Sequence, residues 1–281
     1  MNTAVTIDGA PRSLEPWFRR VEAALTRFVP ESPLSQLNRF QERWVVVPPL
    51  LFKALRAALA AARLTGGAFD PTVLDAMEAA GYSRSFDLGP TPPSAPLPAG
   101  RWREVRLAPE FSGVWLPAGV RIDLGGIGKG LAVDGAVARL RAEPRAIVNA
   151  GGDLAVKTAP GDPPVLVEVE DPFQPGQVLA QVRVEQGAAA TSGTLARRWG
   201  PGLHHIIDPV TGRSAASGVV QATVFTARAA KAEVLAKAAV VLGPERGLAL
   251  LLAQGAHGLL VCSNGELMMT PGLEAYRHVT A

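Results

Sequence analysis

The chain has 281 residues, 48% hydrophobic and 19% charged, which excludes a disordered polymer and leaves room for a sizeable core. The formal net charge is +3, and no basic run interleaves with aromatic residues, so the sequence carries no footprint of a nucleic-acid partner. Cys262 stands alone, which excludes a disulfide framework and a cysteine-based metal site.

No apolar stretch reaches about 18 residues, so no transmembrane segment is expected. The first residues, MNTAVTIDGAPR, hold neither a basic region before an apolar run nor a cysteine to lipidate. The expectation from the chain as it stands is a cytoplasmic protein.

In chain order, residues 3–7 alternate weakly, as a first strand would. Residues 14–28 have helical spacing, with Trp17, Phe18, Val21, Leu25 and Phe28 on one face. Pro30 closes that helix, and 30–39 reads as a loop entering a short helical turn. Residues 44–47 are briefly extended. Pro48 and Pro49 open a second helix running to Leu64, rich in Ala and Leu and ended by Gly66 and Gly67. Residues 75–80 suggest a short helix. Residues 81–100 are loop-like, with proline concentrated at 90–98.

Residues 102–107 and 113–116 look like paired strands, and β character continues from Val114 to Ile122. The stretch DLGGIGKGLAVD follows at 123–134. Gly125, Gly126, Gly128 and Gly130 leave backbone N–H groups uncovered, and Lys129 adds a cation before a helix expected over 129–143. Strand, glycine turn and helix N-terminus can hold a phosphorylated ligand. It is not a P-loop, because no Ser or Thr follows the lysine, and it is not GxGxxG. A tight strand-to-helix turn that needs small residues is the competing reading.

Residues 146–149 form a short apolar strand, continued by 154–156 after a glycine pair. Residues 164–170 and 178–184 alternate by twos and suggest a hairpin. Residues 188–193 read as a polar loop. A strand is expected at 219–226, helices at 229–242 and 245–253, and a last hairpin around Asn264-Gly265. The whole reads as mixed α/β (α+β), mainly antiparallel, in a single domain over 1–281.

Several groups carry possible chemistry. His204 and His205 precede Asp208, so an imidazole near a carboxylate could act as a general base; two loop histidines at a strand end are the plain alternative. Asp70 and Asp123 are candidate ligands, although Asp at element ends more often serves turns and caps. Thr191 and Ser192 could grip a phosphate or form a local turn. A Ser192–His205–Asp208 triad lacks the G-x-S-x-G elbow. Glu233 and Lys237 are spaced as an ordinary surface ion pair, but their helix is otherwise apolar.

Six motifs in order resemble the ApbE-like family of FAD:protein FMN transferases: SPLSQLNR at 32–39, TGGAFDPTV at 65–73, DLGGIGKGLAVD at 123–134, VNAGGDLAV at 148–156, ATSGT at 190–194 and HHIIDPVTG at 204–212. Residues 1–3 are similar to the start of that family's first strand. The resemblance implies a T-fold-like architecture, FAD as substrate, and transfer of FMN to a Thr or Ser hydroxyl of an acceptor protein with loss of AMP. A non-catalytic FAD-binding protein and an FAD pyrophosphatase are the alternatives. By the same resemblance Phe28, Ala68, Phe69, Asp70, Asp123, Lys129, Thr191 and Ile207 would line the FAD site, with His205 and Asp208 on the catalytic side.

The family holds Mg²⁺ through a carbonyl at the position of Gly126 and through a C-terminal helix resembling A-D-A-L-A-T-A. Here that helix reads AEVLAKA over 232–238, with Glu233 and Lys237 at the metal positions. Glu233 can still bind a hard cation, whereas a protonated Lys237 cannot. The resemblance thus implies Mg²⁺ with a weakened hold: the ammonium replaces part of the metal's charge, or the site is impaired, or the metal shifts to accommodate the extra methylene of Glu233.

Overall fold

Residues 4–8, 14–273 and 277–278 are described by a computed structural model. The expected first-strand start at residues 1–3 lies outside them. In chain order the first elements are β1 (Val5–Asp8), α1 (Glu15–Leu25), α2 (Pro33–Asn38), β2 (Trp44–Val46), α3 (Pro49–Leu64) and α4 (Leu74–Ala79). They are followed by β3 (Arg106–Ala108), β4 (Gly113–Trp115), α5 (Gly128–Arg139), β5 (Ala146–Ala150), β6 (Asp153–Lys157), β7 (Val165–Glu170), β8 (Val178–Val184) and β9 (Gln186–Gly193). The rest are β10 (Arg198–Gly200), β11 (Leu203–His204), β12 (Ile207–Asp208), β13 (Arg213–Ser214), β14 (Val219–Thr226), α6 (Ala229–Leu242), α7 (Pro244–Ala253), β15 (His257–Cys262), β16 (Leu267–Met269) and β17 (Arg277–His278).

The chain forms two compact units. One holds Pro16–Gly128 and Arg197–Ala216; the other holds the described residues of Asn2–Glu15, Lys129–Ala196 and Ser217–Ala281.

In the first unit the apolar spacing of α1 buries Phe18, Val21, Ala24 and Leu25. The helix stops at Leu25, short of Phe28, because Thr26 turns the chain: its Oγ1 accepts from Phe28 N and its carbonyl from Ser32 Oγ. Ser32 then caps α2, accepting from Ser35 N at 3.1 Å, with Pro33 in the first turn. α3 presents Leu51, Leu55, Ala58 and Ala62 inward. A small antiparallel sheet in the order β2-β4-β3 completes this part. Residues 102–104 form a 3₁₀ turn, not the start of the expected strand.

The segment before the glycine turn also departs from expectation. β4 ends at Trp115, and residues 120–124 belong to no strand. Side chains and loops satisfy that backbone instead. Asn38 accepts from Ile122 N and donates to Ile122 O, each at 2.8 Å, and Asp123 N donates to Pro71 O at 2.8 Å.

The second unit contains an antiparallel sheet in the order β1-β5-β6-β9-β14-β15-β16. Val156, Ala189, Phe225, Leu259 and Val261 pack with Val167, Val169, Ala180 and Val182 of the β7–β8 hairpin. α6 packs on β9 and β14, and α7 packs on α6. The expected polar loop at 188–193 is in fact the inner strand β9, paired to β6 on one side and β14 on the other. Alanine has low strand propensity, so the sequence hid it; its small side chains leave room for α6 to lie close. Full burial of Val234 and Leu235 on α6 contributes about 1.5–3 kcal/mol each.

Candidate functional site

The glycine turn sits in the first unit. Gly125 N donates to Asp123 Oδ1 at 2.8 Å, and Gly128 N donates to Leu124 O at 2.8 Å, which leads the chain into α5. Asp123 Oδ2 lies 2.9 Å from Arg27 Nε, an ion pair without hydrogen-bond alignment. Arg27 has a side chain only 4% exposed. It lies over Phe28 and Tyr82, 4.3 and 4.8 Å from their ring centroids, and donates to Tyr82 O at 2.6 Å. Tyr82 in turn lies 5.9 Å from Phe28 and 5.5 Å from Trp199, ring to ring. Phe28 is 40% exposed, and Ile207 is buried with Met77, Ala80 and Tyr82 beside Trp199.

TGGAFDPTV is a self-bonded loop. Thr65 Oγ1 donates to Ala61 O and accepts from Phe69 N. Ala68 is half-buried, and Phe69 is buried. Asp70 Oδ1 accepts from Thr72 N at 2.7 Å and from Thr72 Oγ1 at 2.6 Å, while the buried Oδ2 has no hydrogen-bond partner. Burial raises the Asp70 carboxyl above its ordinary value, against the Thr72 hydrogen bonds that lower it. An orphaned buried carboxylate oxygen suits a donor brought to it.

The paired histidines part company. His204 is buried; its Nδ1 accepts from Ile206 N at 3.3 Å, which leaves Nε2 to donate to Ala215 O at 2.9 Å. With both ring nitrogens engaged, it serves structure. Burial lowers its basicity, so the neutral ring is the stable form. His205 is half-buried. Asp208 turns the chain: Oδ1 accepts from Val210 N at 2.9 Å, and Oδ2 from Thr211 Oγ1 at 3.0 Å.

In the second unit Lys129, in the first turn of α5, meets a buried charge cluster. Its Nζ donates to Asp153 Oδ2 at 2.5 Å and lies 3.6 Å from Glu233 Oε1. Lys237 Nζ donates to that same Oε1 at 3.1 Å, and Gly130 N donates to Glu233 Oε2 at 2.9 Å. Both acids are fully buried. Burial and the Glu233 charge push Asp153 up to about 7, against the two lysines. Burial would raise Glu233 too, but the Lys237 and Lys129 ammoniums and the Gly130 N–H outweigh it and hold its carboxyl below the usual range.

The glycine stretch builds this cluster. Gly130 lies so close to α6 that an added Cβ would be 2.5 Å from Ala230 Cα. Asp134, the last residue of the motif, caps α6: its carboxylate accepts from Ala229 N at 2.8 Å and Ala230 N at 3.3 Å. Thr191, on β9, shares a 2.8 Å hydrogen bond with Thr223 on β14.

Gly126 lies in the glycine turn, half-buried, and Glu233 and Lys237 lie on α6. As they stand, the α6 residues do not fit a divalent cation. Both Glu233 oxygens are already taken by hydrogen-bond donors, and Lys237 brings an ammonium, which donates and cannot coordinate. Asp153 Oδ1 is the cluster oxygen without a hydrogen-bond partner. One unpartnered oxygen beside two lysines is a poor match for a cation that wants about six oxygen ligands.

Arg27, Tyr82, Trp199 and Asp153 had no assigned role in the sequence. Asp153 had a signal, the GGD within VNAGGDLAV; the aromatic ladder had none, because Tyr82 and Trp199 meet only through folding.

The chain matches the model of the ApbE family over residues 1–260. It is 35% identical over 231 residues, 74% of this chain, to the FAD:protein FMN transferase of Treponema pallidum, and 34% identical over 248 residues, 82% of this chain, to that of Rhodobacter capsulatus. Those alignments cover 64% and 46% of the relatives, so the chain spans less than two thirds of either protein's length. The ApbE protein of Thermotoga maritima superposes with a TM-score of 0.85 at 27% identity, over 99% of this chain and 96% of that one. The flavin transferase ApbE of Vibrio cholerae shares the fold, with a TM-score of 0.79 at 23% identity over 98% and 96% of the two chains.

Proposed function

The chain belongs to the ApbE family, and we propose that it transfers FMN from FAD to a Thr or Ser hydroxyl of an acceptor protein, releasing AMP. The observation that carries this reading is the state of the stretch at 123–134. Lys129, in the first turn of α5, is fixed by Asp153 and Glu233 beside the helix N-terminus, while Gly125, Gly128 and Gly130 already donate to Asp123, Leu124 and Glu233. A helix N-terminus and a fixed ammonium suit a pyrophosphate. The relatives' shared name supplies the reaction.

The chemistry is a phosphoryl-type substitution. The acceptor hydroxyl oxygen attacks the FMN-side phosphorus of FAD. The bond from that phosphorus to the bridging oxygen breaks, and AMP leaves with the oxygen. The hydroxyl proton passes to a base, and His205 is our choice, since His204 has both nitrogens engaged. Asp208 shapes the turn that follows it. Phe28, Ala68, Phe69, Asp70, Asp123, Lys129, Thr191 and Ile207 are the residues we assign to FAD. No step is routed through Mg²⁺, because Glu233 and Lys237 do not offer it a donor set.

Co-expression with an acceptor domain, followed by in-gel flavin fluorescence, tests the proposal. A fluorescent acceptor band that vanishes in the His205→Ala chain is expected. Tight FAD binding with no covalent flavin on any acceptor would count against it.

A further inference from the structure

The charge cluster on α5, β6 and α6 has an unusual balance. Two ammoniums, Lys129 and Lys237, converge on one oxygen, Glu233 Oε1, at 3.6 and 3.1 Å. Their side chains are 19% and 16% exposed, while Asp153 and Glu233 are fully buried. Two carboxylates face two ammoniums, so the cluster is neutral when all four are charged. A divalent ion brought there would meet two like charges and a carboxylate that already accepts from Lys237 and from the Gly130 N–H.

We propose that this chain handles the FAD pyrophosphate without a divalent cation, with the Lys237 and Lys129 ammoniums together supplying the two positive charges. The inference rests on FAD being the substrate, as proposed above. An ammonium is a compact point charge with three donors, and lysine is a common phosphate binder. One Lys237 donor goes to Glu233 Oε1, which fixes the ammonium one helical turn along α6. α6 itself is held in register by the Asp134 cap and by the close approach of Gly130 to Ala230. Glu233 thus anchors a lysine. Its longer side chain suits that task, because it reaches both the Gly130 N–H and the Lys237 ammonium. Lys237 and Glu233 form one unit in this reading, and a substitution at either should reveal the other.

The test measures metal and flavin separately. Purified full chain is stripped with EDTA, then dialysed with Mn²⁺ as the metal probe in the presence of FAD. FAD affinity and AMP release are measured in EDTA and in Mg²⁺. The expected result is no stoichiometric Mn²⁺ on the wild-type chain, and FAD affinity changing by less than about twofold between EDTA and Mg²⁺. Lys237→Thr should lose FAD affinity by about tenfold or more in EDTA, with Mg²⁺ restoring part of it. Lys237→Gln, one atom shorter and uncharged but still a hydrogen-bond donor, should show the same loss in EDTA. One Mn²⁺ bound per wild-type chain, or FAD binding that requires Mg²⁺, overturns the inference while leaving the FAD reading intact. Failure to bind FAD in either condition overturns the FAD reading, and this inference with it. Should neither variant fold, the wild-type dialysis alone decides.

Discussion

Asn38 holds Ile122 by both backbone groups, accepting from its N–H and donating to its carbonyl at 2.8 Å each. A side-chain amide here does the work of a neighbouring strand. Ile122 is fully buried, so neither group could turn to water. Because Asp123 follows at once, and its N–H bonds to Pro71 O, this contact sets where the glycine turn begins.

Replacing Asn38 with Ala should therefore cost more than one ordinary hydrogen bond. Two buried backbone groups would be stranded, at about 1–3 kcal/mol each. Urea unfolding of the Asn38→Ala chain should show a lowered midpoint with an unchanged slope. Asn38→Asp keeps the acceptor but sets a carboxylate against the Ile122 carbonyl in a buried site, so it should lose at least as much as Asn38→Ala.

Asp134 is expected to act on the charge cluster at a distance. It caps α6 through Ala229 N and Ala230 N, and α6 carries Glu233 and Lys237. Asp134→Ala should lose about 0.5–2 kcal/mol in stability. Asp134→Asn retains a capping oxygen, and Asn ranks with Asp as a cap, so it should recover most of that loss. Equal losses for both substitutions would show that the charge on Arg228, 3.3 Å away, matters more than the cap.

Stability should also depend on pH through His204. Burial lowers its folded-state pKa below the ordinary 6.5. In the window between those values the unfolded chain binds a proton that the folded chain does not. Its contribution is therefore fully present above about 6.5 and is lost as pH falls below it. Asp153, raised to about 7, titrates in the same window with the opposite sign, so the decline is read as the difference between unfolding curves of the wild-type and His204→Gln chains from pH 8 to pH 5. His204→Gln should be less stable at pH 8, and its gap from the wild-type chain should narrow as pH falls.

Much of this was legible in the sequence, and the failures have physical causes. α3, α6, β14 and the β7–β8 hairpin followed from periodicity and from their proline, glycine and β-branched boundaries. β9 did not, because the Ala run suits a strand only where α6 lies against it. The extended run before Asp123 resembled a strand in composition, but its partner is the side chain of Asn38, which no pairing rule anticipates. Within the candidate site, the glycine turn, Lys129 and the anomaly at Lys237 could be read directly. Asp153 could be seen but not weighed, since its importance comes from full burial beside Lys129 and Glu233. Arg27 and Tyr82 were beyond reach, because they are 55 residues apart.

The most direct test of the central claim is the intact mass of an acceptor domain incubated with this chain and FAD, beside the same domain with its acceptor Thr changed to Ala. The account predicts that the unmodified domain gains one FMN less one water, with one AMP released per flavin attached, and that the Ala version gains nothing. AMP and free FMN released in equal amounts, with no change in mass on either domain, would contradict it.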